Sequence, residues 1–108
     1  MKRGDLVTIA LRGDYGKPRP ALVIQSDFLP ETDSVLVCLL TTMLRDAPLY
    51  RQSLPADEET GLREPSQIMV DKTMAVRRDR CSAPIGRVAD TALLALRPLL
   101  AFVVGIAD

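Results

Sequence analysis

Two apolar runs, PALVIQS at 20–26 and SVLVCLLTT at 34–42, limit what the chain can fold into more than any other feature. Both are continuous rather than alternating, rich in β-branched residues and leucine, and bounded by Gly, Pro, Asp or Ser, which reads as a pair of central strands buried on both faces. DLVTIAL (5–11) and SQIMVDKTMAV (66–76) read as further strands, and APLYRQSL (47–54) as a weaker one. The polar, proline-bounded segment 55–65 reads as a loop with a helical turn at Asp57–Thr60, 77–81 (RRDRC) as a basic exposed stretch, and 83–88 (APIGRV) as a turn.

From Asp90 the spacing changes to that of a helix, with Asp90 as N-cap, leucines at 93, 94, 96 and 100 on a core or dimer-facing side, and Gly105 after its end. Pro98 predicts a kink or break near 94–97, because an interior proline removes one backbone bond and costs ~3 kcal/mol. Strands joined by turns too short for crossover helices, followed by one helix, predict an α+β, mostly β fold. It is a curled antiparallel sheet, partly closed as a small barrel, with the helix over an open face.

A chain of 108 residues, 47% hydrophobic, supplies one core, so a single domain over 1–108 is expected. Fourteen basic and fourteen acidic residues give no net field, and any polyanion has to be held by a local patch. No apolar run approaches the ~20 residues of a membrane span, and the start is too interrupted for a signal sequence, so a cytoplasmic protein is expected. Cys38 and Cys81 read as free thiols. With no histidine and two isolated cysteines, neither a metal site nor any other cofactor is expected.

The residues that carry chemistry begin at GDYGKPRPALVIQSD (13–27), where Arg19 stands between Pro18 and Pro20 at the mouth of a buried strand. As a lone arginine it is read by default as an ion-pair partner of an acid such as Asp5 or Asp27. However, RGDLV (3–7), GKPRPALVIQ (16–25), LLTT (39–42), SQIMVDKTMAV (66–76) and IGRV (85–88) together resemble the MazF/PemK family of toxins, over nearly the whole chain. The resemblance implies an SH3-like barrel shared with the CcdB toxins. It also implies a small dimeric endoribonuclease, independent of metal, that cuts single-stranded RNA (mRNA) at short sequences and is silenced by a cognate antitoxin. The antitoxin is expected to be a small protein with an acidic C-terminal tail.

Carried over residue by residue, the family's catalytic arginine falls on Arg19 and its catalytic threonine on Thr41. Lys72 and Thr73 fall near a basic-then-hydroxyl pair seen in several members, Gln67 lies in a region that varies, and the histidine of some members is absent. Tyr15, Lys17, Thr42, Gln67, Lys72, Arg77 and Arg78 are the residues expected to bind RNA. Lys17 and Tyr15 sit in a loop (12–18) with the composition of a mobile flap, where the tyrosine ring is suited to stack on a base. Each has an ordinary alternative: strand-end threonines, a solvated basic turn at 77–80, packing roles for Tyr15 and Tyr50.

The chemistry supports the pair independently. A planar guanidinium holds two phosphoryl oxygens at once and a hydroxyl adds a further hydrogen bond, which suits the extra charge of a phosphorane. Arginine as the acid or base is a weaker assignment, because a guanidinium pKa above ~12 makes a poor base near neutrality. Two other functions compete. A gyrase poison of the CcdB type shares the barrel, and VVGI (103–106) echoes its terminus, but that family's penultimate tryptophan has no counterpart in a chain without Trp. A non-catalytic SH3-like binding module normally displays several aromatics in its groove, against 4% aromatic content here.

Overall fold

The computed structural model describes residues 1–13, 17–106 and 108. Six strands, β1 (Asp5–Ile9), β2 (Arg19–Val23), β3 (Ser34–Thr41), β4 (Arg51–Leu54), β5 (Ser66–Arg77) and β6 (Gly86–Arg87), precede one helix, α1 (Asp90–Val103). The strands form a single antiparallel sheet in the order β4-β5-β3-β2-β1-β6, curled as a half-barrel. The two apolar runs supply β2 and β3 at its centre, as their lack of alternation predicts. Leu22 and Cys38 pair across one face, and Ala21 and Leu39 across the other.

Both faces are buried, by different means. Leu6, Leu22, Cys38, Leu40, Ile68 and Val70 form the face under α1, with Leu96 fully buried against them and Leu93, Leu99, Leu100 and Val103 packed around it. Val7, Ile9, Ala21, Val23, Val35, Val37 and Val76 form the second cluster, on the opposite face. β5 serves both clusters because it bends. Cys38 pairs with Thr73 but Leu40 with Ile68, so Leu39 alone stands opposite residues 69–72. The extra residues exchange the faces: Ile68 and Val70 point under the helix, and Val76 joins the cluster on the other face.

One expectation for the helix is corrected, and of the kink or break expected at Pro98 the break does not occur. Its N-cap is Ala89, with no side-chain cap bond, and Asp90 is the first helical residue, where its charge still favours the N-terminal dipole. The helix also runs through Pro98 without breaking. Pro98 and Leu94 both lie on the exposed side, while Leu96 and Leu100 keep the opposite side on the sheet. Gly105 ends the helix at φ 81°, with Ile106 N–H donating to Ala101 O (2.9 Å) and Gly105 N–H to Phe102 O (3.2 Å).

The weak strand expected at 47–54 is confined to Arg51–Leu54, preceded by a turn. The turn expected at Asp57–Thr60 closes with Gly61 N–H on Asp57 O (2.9 Å) and Thr60 N–H on Asp57 Oδ1 (2.8 Å). It packs on β6 so closely that a Cβ at Gly86 would lie 2.2 Å from the Thr60 carbonyl oxygen. Among the described residues no helix is long and apolar enough to cross a membrane.

Candidate active site

The strand register assembles a polar row at one end of the sheet. Ile9 pairs with Arg19, Thr41 with Gln67, and Gln67 with Ser53. Between β2 and β3 the recorded pairs run from Val23–Val37 to Ala21–Leu39, and two residues further on the same register brings Arg19 opposite Thr41. Residues directly opposite in an antiparallel sheet share a face, so Arg19, Thr41, Gln67 and Ser53 line one edge of the face away from α1. Adjacent strands lie about 4.8 Å apart, which gives the row from β2 to β4 a width of roughly 14 Å.

Pro20 explains why the ladder ends there. It has no N–H to give a neighbour, and the recorded β2–β3 pairs begin one residue after it. Arg19 therefore stands exposed at the open end of the strand pair, with φ fixed on both sides by Pro18 and Pro20. Asp5 bridges Arg87 at 3.0 Å, and Asp27 Oδ1 accepts the Arg3 amide at 2.9 Å. Thr41 is half-buried, and its hydroxyl oxygen accepts the Met43 N–H at 3.1 Å, which orients the hydroxyl and leaves its O–H to donate. Thr42, Lys17 and Lys72 are exposed, Lys72 on the extra residues of β5.

Gln67 is only 8% exposed, and its amide is engaged by the protein. Its Nε2 donates to Arg45 O (2.9 Å), while its Oε1 accepts from Arg45 N–H (3.0 Å) and from Arg51 Nη1 (3.1 Å). These bonds tie the β3–β4 connection to β5. Arg77 and Arg78 lie at the other end of β5: Arg77 pairs with Ser34, at the start of the strand that Thr41 ends, roughly 24 Å away at about 3.4 Å per residue. Arg77 bridges Asp79 (2.7 Å), and Arg78 donates to Thr32 O with Glu31 3.9 Å away. Within one chain they are not part of the row. Tyr15 lies outside the described residues.

Sequence reasoning missed Arg51. It occupies the weak strand β4 opposite Met69, half-buried, and Nη1 donates to Met43 O (3.2 Å) as well as to Gln67. The available signal was an arginine at strand spacing from Ser53, hence on the same face. The two cysteines take no part. Burial raises both thiols, and Cys38 lies 3.3 Å from the Thr73 hydroxyl in the core, so neither favours the thiolate needed of a nucleophile.

Among the described residues, a curled antiparallel sheet followed by one C-terminal α-helix is the fold of solved MazF toxins. Residues 2–104 match the family described as PemK-like, MazF-like toxin of type II toxin–antitoxin system, and the chain belongs to that family. It is 43% identical over 108 residues to a probable endoribonuclease MazF of Mycolicibacterium smegmatis, covering 99% of each chain. Solved structures share its fold at lower identity. A mycobacterial endoribonuclease in complex with its cognate antitoxin superposes with a TM-score of 0.81 at 21% identity, over 98% of this chain and 96% of that one. The Mycobacterium tuberculosis toxin MazF-mt6 gives 0.79 at 22%, over 94% and 96%. A MazE–MazF structure from Deinococcus radiodurans gives 0.77 at 22%, over 97% and 95%.

Proposed function

We propose that this toxin is an endoribonuclease that cleaves single-stranded RNA without a metal, with Arg19 and Thr41 as the groups that touch the scissile phosphate. The observation that carries the reading is that exposed Arg19 begins β2 at the same end of the sheet where Thr41 ends the adjacent antiparallel strand β3. The membership of a toxin family that includes a named endoribonuclease at 43% identity adds to it. Nothing comparable favours gyrase poisoning or peptide binding.

In the reaction, the ribose O2′ attacks the adjacent phosphorus as it loses its proton. The P–O5′ bond then breaks and O5′ gains a proton, leaving a 2′,3′-cyclic phosphate and a 5′-hydroxyl. Negative charge gathers on the two non-bridging oxygens in between. The Arg19 guanidinium is matched to that pair, and the Thr41 O–H donates to one of them, so both groups bind more tightly as the phosphorane forms. The site is open to water, which carries the exchanged protons. DNA lacks the attacking hydroxyl and is not cut.

The active form is a two-fold dimer acting in the cytoplasm, with the RNA groove crossing the two chains. Exposed apolar side chains at Leu94 (60%), Ile106 (78%) and Phe28 (98%) support an interface, which sedimentation at micromolar concentration tests. The antitoxin is a small protein whose acidic tail folds into that groove. Incubation with a long single-stranded RNA in EDTA, followed by mapping of fragment ends, tests the activity. Cyclic-phosphate ends at a short recurring motif are expected, and cleavage abolished by EDTA excludes the mechanism.

A further inference from the structure

We infer that Arg51 is a second phosphate-binding group of the site, holding an RNA phosphate next to the scissile one. The inference rests on the RNA-cleaving reading above and goes beyond it.

The guanidinium of Arg51 is anchored at one end only. Nη1 is occupied by Met43 O (3.2 Å) and Gln67 Oε1 (3.1 Å), both neutral acceptors. Nε is buried with no partner, and among the described residues Nη2 has no recorded acceptor and no carboxylate lies within ion-pair distance of the side chain. A half-buried cation held by neutral oxygens keeps its charge uncompensated inside the protein, which is costly unless an anion arrives from outside. Among the described residues, Arg77, Arg78 and Arg87 by contrast each have an acid within 4 Å.

Position supports the same conclusion. Arg51 pairs with Met69 and Ser53 with Gln67, so Arg51 lies on the same face as Ser53, one step diagonally from the row that begins at Arg19. A chain of nucleotides crossing the strands from β2 toward β4 passes Arg19 and Thr41 first and then Arg51, at about 4.8 Å per strand. The anchor also orders the path, because the same guanidinium grips the Met43 carbonyl immediately after Thr41 and Thr42.

The test measures binding of a short 2′-deoxy-substituted, uncleavable single-stranded oligonucleotide across a salt series, beside kcat and KM on the cleavable RNA. For single strands each phosphate neutralised contributes about 0.7 to the slope of log affinity against log salt. Arg51→Gln is expected to flatten that slope by about 0.7 and raise KM several-fold with kcat lowered less. Arg51→Lys is expected to restore the slope while failing to restore the loop bonds. If Arg51 served only to hold the loop, the lysine variant would match the glutamine variant and neither would change the slope, which would overturn the inference. So would unchanged RNA binding accompanied by weakened antitoxin binding. A wild-type protein that neither binds nor cuts RNA would instead overturn the RNA-cleaving reading itself.

Discussion

Gln67 meets the backbone of Arg45 from both sides, donating to its carbonyl at 2.9 Å and accepting from its amide at 3.0 Å. One buried amide thereby fixes the β3–β4 connection that follows Thr41 directly. Gln67→Met, similar in volume but without the amide, leaves both Arg45 groups and Arg51 Nη1 short of a partner. A loss of about 1–3 kcal/mol is expected, with faster proteolysis within 42–50 and a lower cleavage rate despite an intact Arg19. Denaturant unfolding and limited proteolysis check it, and a variant of wild-type stability would show that the connection holds without this clamp.

The unbroken helix makes Pro98 a position of avoidable cost. Its ring faces outward, so Pro98→Ala restores a backbone donor without opening a cavity. A gain of about 1–3 kcal/mol in unfolding free energy is expected at fixed protein concentration. A loss of stability would mean that the ring has a packing role, for example between two copies.

With no net charge on the chain, attraction for RNA and for an acidic tail draws on the same few cations. Charge reversal at Lys17 or Lys72, both exposed, is expected to weaken RNA and antitoxin binding together, with a reduced salt dependence for each. Titration of each variant against both ligands checks this. Unchanged antitoxin affinity beside collapsed RNA cutting would place inhibition on a different surface. Arg78 is a poorer probe, because its reversal also removes the bond to Thr32.

Much of the fold was legible because continuous apolar runs and short turns leave few alternatives. The centre of the sheet, the single helix and its glycine end follow from 20–26, 34–42 and 90–105. The interruption of β5 was not legible, since three residues of extra strand leave no mark in the pattern of SQIMVDKTMAV. Nor was the continuity of the helix at Pro98, where packing of Leu96 and Leu100 outweighs a local penalty. In the candidate site, Arg19 and Thr41 stood out through their proline and strand-end settings. Arg51 did not, because a lone arginine in a weak strand looks the same whether it faces solvent or a neutral cradle. Gln67 is placed by long-range bonds to residues 45 and 51 that local sequence does not encode.

The central claim is that a guanidinium fork at Arg19, opposite the Thr41 hydroxyl, stabilises the phosphorane. Single-turnover cleavage of a short single-stranded RNA in EDTA, comparing wild type with Arg19→Lys at matched folded concentration, tests it most directly. Lysine retains the charge but not the fork, so a fall of at least ~100-fold is expected, with Thr41→Ser staying within about tenfold of wild type. Near-normal cleavage by Arg19→Lys would contradict the role assigned to Arg19.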